Sequence, residues 1–186
     1  MNECSVDNCV PLLIQQNIKR SNVFSRSWAE YKVGFNDSKG NYWLGNDLLS
    51  QMTLTGRYKL KIDLEGRGRS WYYAEYSTFI VQPESDDYRM HLSGYLDGAG
   101  ADVFGYGNCL IFSNAGGGGD DELSYQSGQM FSTFDRDNDQ ASGNCAVERG
   151  GGFWFKNCGS WCLNCHYFNS VAAVDLQSTH MWLQCK

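Results

Sequence analysis

The stretch from Phe131 to Cys158, FSTFDRDNDQASGNCAVERGGGFWFKNC, limits what this chain can fold into more than any other. Asp135, Asp137 and Asp139 stand at alternate positions in a loop that contains Gly and Ser. Cys145 and Cys158, thirteen positions apart, bracket a Gly-rich aromatic turn. Carboxylates at that density repel one another unless a positive charge sits among them. The hard, oxygen-seeking cation for such a loop is Ca²⁺, which accepts side-chain and main-chain oxygens in flexible geometry. The competing reading is a solvated acidic turn, since Asp and Asn favour turns for local hydrogen-bonding reasons. The alternate spacing favours the metal.

The three aspartates fit the first ligand positions of an EF-hand, but the rest of that motif is missing. Gln140 stands where the sharp turn needs Gly, and Ala146 where a bidentate Glu belongs. Main-chain carbonyls must therefore complete any coordination. Ala141 and Gly143 are placed to offer them, because alternate residues of an extended stretch point the same way.

With 186 residues the chain is one domain of ordinary size, long enough for a substantial core. It carries 15 basic and 21 acidic residues, a net charge of −6, and no basic run. That balance speaks against nucleic acid and anionic membrane as partners. The 21 glycines against 2 prolines point to many turns rather than a helix bundle. No apolar run approaches the roughly 20 residues of a membrane span. Eight cysteines lean toward an oxidising compartment. The opening MNECSVDNCVPLLIQQNIKR shows no signal peptide, having neither a basic start nor a long apolar segment. A true start missing upstream is the expectation that reconciles the two.

Periodicity places the elements. Val10 to Ile18 reads as a short strand. Ser27 to Phe35 puts Trp28 and Tyr31 at helical spacing, with Gly34 ending the turn. Gly45 to Leu54 reads as a helix capped by Asn46, with Leu48, Leu49 and Met52 buried. Arg57 to Leu64 alternates Tyr58, Leu60, Ile62 and Leu64 with charged residues, a clean strand. Trp71 to Val81 and Tyr88 to Tyr95 are further strands, separated by a turn at Gln82 to Asp87, and antiparallel pairing follows from such short connections. Gly116 to Gly119, with the acidic residues after it, reads as a flexible loop.

The ordered series WAEYKVGF, NYWLGND, YKLKIDLEG, AEYSTFIV, YRMHLSGY, MFSTFDRDND, GNCA and FWFKNC resembles the fibrinogen C-terminal (fibrinogen-like) domain. That family includes fibrinogen chains, ficolins, tachylectin-type lectins, angiopoietins and tenascins. The likeness runs from Ile14 to Tyr167. It implies an α+β domain with a twisted antiparallel sheet, short helices and a loop-rich region for calcium and ligand. It implies Asp137 and Asp139 as side-chain ligands of Ca²⁺, Ala141 and Gly143 as carbonyl ligands, and Asp135 as an acidic neighbour that does not ligate. A Cys145–Cys158 disulfide and a ligand pocket at Asn157, Cys158 and Gly159 are implied as well. So is a cis peptide between Asn157 and Cys158, which for a non-proline bond costs about 3–4 kcal/mol.

The chain departs from the family pattern in several places. Gly159 stands where many lectin members have His, and the LNG turn becomes Leu163, Asn164 and Cys165, with Cys162 a further unusual cysteine. After Tyr167, NSVAAVDLQSTHMWLQCK shows no family motif, and the family's N-terminal portion is largely absent. The layout expected is a divergent tail over 1–11, a partial domain over 12–168 and a divergent tail over 169–186. Without a central strand its neighbours would have unpaired backbone groups. Either Val171 to Leu176 or the stretch near Met181 to Leu183 substitutes, or the product is marginally stable. The partners of Cys4, Cys9, Cys109, Cys162, Cys165 and Cys185 are left open.

The resemblance implies a non-enzymatic, secreted or extracellular recognition domain with Ca²⁺ as cofactor. Its partner is an acetylated or other carbohydrate group, as in the lectin members that serve innate recognition. The aromatic residues Phe153, Trp154, Phe155, Trp161 and Tyr167 suit the apolar faces of sugars, against the alternative that they are core. Extracellular protein partners of the fibrinogen or angiopoietin type are the second reading, and a homo-oligomer is compatible with either. An enzyme is the third. Cys162, Leu163, Asn164, Cys165 and His166 spell C-x-x-C-H, but a zinc site lacks two further ligands and no βαβ context supports a redox motif.

Overall fold

The computed structural model describes residues 10–18, 22–66, 70–99, 126–158, 162–165 and 176–186. Its frame is a sheet built outward from the alternating stretch after Arg57. Strand β4 (Tyr58–Gly66) buries Leu60, Ile62 and Leu64 on one face. The antiparallel β5 (Trp71–Val81) sets Tyr76, Ala74 and Tyr72 opposite those three, and β6 (Met90–Ala99) pairs with the far side of β5. With β1 (Leu12–Ile18), β2 (Phe35–Asn36), β3 (Tyr42–Trp43) and β7 (Leu176–Cys185), the order is β2-β3-β1-β7-β4-β5-β6, and neighbours run antiparallel throughout. Short helices join this sheet in an α+β fold.

The last strand sits at the centre. Between β1 and β4, Leu183 lies opposite Leu60, Met181 opposite Ile62 and Thr179 opposite Leu64. The stretch around Met181 to Leu183, weighed from the sequence as one substitute for a missing strand, thus fills that place, and 176–185 belongs to the sheet instead of hanging from it as a tail. The sequence conceals this because the buried set of β7 is Leu176, Ser178, Thr179, Met181 and Leu183, which breaks a period of two. A register shift at Glu65/Gly66 brings Leu176 onto the face of Thr179, Met181 and Leu183, while Ser178 is buried on the other face against Glu65.

Helix α1 (Trp28–Val33) starts on a capping box: the Ser27 side chain accepts from the Glu30 N–H while Glu30 accepts from the Ser27 N–H. It ends at Gly34, whose φ of 90° suits glycine. In α2 (Asn46–Thr53) the cap is Gly45, and Asn46 is the first helical residue. Asn46 is fully buried and accepts a hydrogen bond from Trp43 Nε1 at 3.0 Å, so its oxygen serves the core and not the helix end. Leu48 is 46% exposed, while Leu49, Ser50 and Thr53 face inward. A further short helix, α3 (Cys145–Arg149), grows out of the acidic loop.

Phe153, Trp154 and Phe155 lie in the core, each 0% exposed. Trp154 meets Phe131 edge-on at 5.1 Å between centroids, Phe79 at 6.1 Å and Trp43 at 6.1 Å. They form no sugar-facing wall. Trp161 and Tyr167 lie outside the described residues.

A buried polar seam ties the sheet to the Cys162–Cys165 turn. Gln15 and Asn17 of β1 face inward, and Gln15 Nε2 lies 2.9 Å from Leu163 O, 3.1 Å from Asn164 Oδ1 and 3.0 Å from Thr179 Oγ1. Asn17 Nδ2 donates to Leu163 O at 3.0 Å, and Asn164 Nδ2 to Gly152 O at 3.0 Å. Cys162 and Cys165 are joined to each other, and Cys185 also stands in a disulfide. Both sulfurs of the C-x-x-C are thereby engaged, which leaves no thiolate there for zinc. Among the described residues no helix is long and apolar enough to cross a membrane.

Candidate functional site

The acidic loop is held at both ends by the core. Ser132 and Phe153 exchange backbone hydrogen bonds at 2.9 and 3.1 Å, and Asn138 Nδ2 donates to Phe131 O at 2.8 Å. Gln140 N donates to Lys156 O at 2.7 Å, which lays the loop along the segment leading to Cys158. Asn144 caps α3 by accepting from Val147 N and also donates to Thr133 O at 3.0 Å. Gly151 and Gly152 allow close packing behind the loop. A Cβ at Gly151 would stand 2.2 Å from Asn164 O, and one at Gly152 would stand 2.6 Å from the Tyr31 ring.

Asp137 and Asp139 come together on this frame. Asp139 Oδ1 accepts from Ala141 N and Oδ2 from Cys145 N, both at 2.8 Å, so its carboxylate organises the loop from 139 to 145. Asp137 Oδ1 accepts from Asp139 N at 3.2 Å. Burial raises the Asp139 carboxyl above its ordinary value, the two N–H groups pull it back, and the neighbouring Asp137 charge raises it again. Neither aspartate has a basic partner among the described ion pairs. The carbonyls of Ala141 and Gly143 accept no hydrogen bond from a described residue. Among the described residues no three His, Cys, Asp or Glu side chains converge. A cation here would therefore draw part of its shell from main-chain oxygen.

Asp135 faces away from this pair. Its Oδ1 accepts from Trp28 N at 2.9 Å and from Thr133 Oγ1 at 2.7 Å, so it serves the start of α1. Arg136 pairs with Asp87 and stacks on Trp28, its guanidinium carbon 4.1 Å from the ring centroid. Periodicity gave no sign of these contacts, because 107 positions separate Trp28 from Asp135 and 49 separate Asp87 from Arg136.

Cys145 and Cys158 are joined by a disulfide, with Cα atoms 4.9 Å apart. The Asn157–Cys158 peptide is trans, as no cis bond occurs among the described residues. The chain turns instead at Cys158, whose φ of 45° is left-handed. Asn157 is exposed and Cys158 half-buried, and neither N–H donates to a described acceptor. Gly159, the third expected pocket residue, lies outside the described residues, as does His166.

The family model for the "Fibrinogen beta and gamma chains, C-terminal globular domain" matches residues 3–186. Microfibril-associated glycoprotein 4 of Mus musculus is 38% identical over 160 residues, covering 83% of this chain and 55% of that protein. The chain thus spans about half the length of that relative and of ficolin-3, and a smaller share of the tenascins. Among solved structures, the fibrinogen-like globe domain of human ANGPTL2 superposes with a TM-score of 0.73 at 28% identity, covering 94% of this chain and 80% of that one. A lamprey fibrin D-dimer, solved with the peptide ligand Gly-His-Arg-Pro-amide, gives 0.71 at 30% identity, covering 92% and 60%.

Proposed function

Since the chain belongs to the fibrinogen C-terminal domain family, we propose that it is a non-enzymatic, Ca²⁺-binding recognition domain for acetylated or other carbohydrate groups outside the cell. One observation carries this reading. An oxygen-only loop with two crowded carboxylates runs, through α3 and the Cys145–Cys158 bond, to the Asn157 and Cys158 N–H groups, which donate to no described acceptor. The donor set suits a hard cation: Asp137 and Asp139 would hold Ca²⁺ through carboxylate oxygen, and Ala141 and Gly143 through their carbonyls. Bound there, the ion supplies the positive charge that the two carboxylates lack.

The chain's own groups do the rest. Asp139 shapes the loop by accepting from Ala141 N and Cys145 N, so its carboxylate ties the metal end to the disulfide end. Cys158 is left-handed, and successive N–H groups in such a bend form a cradle for carbonyl or acetyl oxygen. Gly159 in place of His removes one donor and leaves a freer backbone to be ordered on binding. Affinity for a single N-acetylated sugar is accordingly weak. Titration with N-acetylglucosamine with and without EDTA tests this: weak binding that EDTA removes is the expected result. Tight binding indifferent to EDTA would place the pocket elsewhere.

A second reading, recognition of a protein segment at the same place, is favoured by the peptide bound in the lamprey relative. Binding of a short peptide that N-acetylglucosamine does not displace, and no binding of the sugar itself, would select it.

A further inference from the structure

Asp135 and Arg136 immediately precede Asp137, yet neither side chain points to the loop oxygens that would hold a cation. Both reach back to α1. Asp135 Oδ1 accepts the Trp28 N–H at the first residue of the helix. Arg136 lies over the Trp28 ring and pairs with Asp87, while its backbone N–H and C=O close a tight turn with Thr133 at 3.2 and 2.9 Å.

The surface they grip is itself fixed. Trp28 is 8% exposed, and its Nε1 donates to Glu84 at 2.7 Å. Its ring lies 5.3 Å from Tyr88 and 6.3 Å from Phe131. Asp87 and Tyr88 both hold φ at 50°, a left-handed conformation that non-glycine residues keep only when their surroundings over-determine it. Here Phe131 N donates to Asp87 O at 2.8 Å and Trp154 Nε1 to Tyr88 O at 2.7 Å.

From this geometry we infer that Asp135 and Arg136 are positioning residues that anchor the first arm of the Ca²⁺ loop to α1 and to the Asp87–Tyr88 turn, and thereby set the affinity for the ion. The inference rests on the reading of that loop as a Ca²⁺ site. Outer-shell partners of metal ligands typically change metal affinity by about 10- to 100-fold when lost.

Charge alone predicts the opposite sign for Arg136→Gln, and a loss for Asp135→Asn where anchoring predicts none, which makes the inference testable. Arg136 is a cation beside a cation site, so by Coulomb's law Arg136→Gln would tighten Ca²⁺ binding, whereas loss of anchoring weakens it. Asp135→Asn removes a negative charge, so charge alone weakens binding. Anchoring leaves it nearly unchanged, because the amide oxygen still accepts from Trp28 N.

The experiment is calorimetric titration of the oxidised full chain with CaCl₂, with unfolding midpoints recorded in EDTA and in Ca²⁺. We expect Arg136→Gln and Asp135→Ala to bind about 10-fold more weakly and Asp135→Asn to bind as the parent does. The Ca²⁺-induced rise of the midpoint should shrink in the first two, since that rise follows the dissociation constant. Should Arg136→Gln fold poorly, Arg136→Lys serves, because it keeps the charge and loses the planar stack and fork. Unchanged or tighter binding in folded Arg136→Gln or Arg136→Lys overturns the inference, as does weaker binding in Asp135→Asn. A parent protein that binds Ca²⁺ while those variants bind equally well refutes the anchoring alone. A parent that binds none refutes the site and the anchoring together.

Discussion

At the scale of single residues, the parts of the site that depend on chain neighbours could be read directly, and those that depend on distant contacts could not. The alternation of Asp135, Asp137 and Asp139 marked the loop but not the difference among them: Asp135, which the family resemblance set apart, turns toward Trp28, while Asp137 and Asp139 turn toward each other. The aromatic run at 153–155 misled for a related reason: a core and a sugar-binding wall use the same side chains, and burial at 0% decides for core. Gly151 and Gly152 give a prediction at this scale. A methyl group at either meets the Asn164 carbonyl or the Tyr31 ring, and overpacking of this kind costs about 1–3 kcal/mol. Gly152→Ala should shift the urea midpoint downward with an unchanged slope, and a variant as stable as the parent would count against that packing.

At the scale of elements, helix α1 links the sheet to the site. Its Ser27–Glu30 capping box was written locally as S-x-x-E, so Ser27→Ala should cost about 1 kcal/mol in chemical unfolding. The same end of the molecule sets an acid limit. Lys32 first, then Trp28, holds the Glu84 carboxyl below its ordinary value, and the Ser27 N–H does the same for Glu30. Folded values below the unfolded value mean stabilisation that is present above the unfolded value and lost as pH falls through the folded ones. Stability should thus decline below about pH 5, and Glu84→Gln should flatten part of that decline. An unchanged acid limb in this variant would show that the pairing adds nothing. The helix at α2 shows why a cap was misread: Asn46 has the right side chain for a helix end, but Trp43 Nε1 claims its oxygen three residues away in the core.

At the scale of the whole molecule, alternation along β4 and the short connections between strands were enough to expect the antiparallel sheet, whereas the placing of β7 between β1 and β4 needed long-range pairing that no local pattern encodes. Buried polar residues in β7 look like tail until Gln15 and the Leu163 carbonyl are seen to meet Thr179, and Glu65 to meet Ser178. Central placement of the last strand also joins the chain's end to the site, since the seam that holds Thr179 continues through Asn164 to Gly152, next to Phe153 and the loop it pairs with. The central proposal is that the loop at 137–143 is the Ca²⁺ site of a recognition domain. Calorimetric titration of the oxidised chain with Ca²⁺, beside Asp137→Ala, tests this most directly. It predicts a single site in the parent that is lost in Asp137→Ala, with the fold retained in EDTA. Stoichiometric binding that survives in Asp137→Ala, or none in the parent, would contradict it.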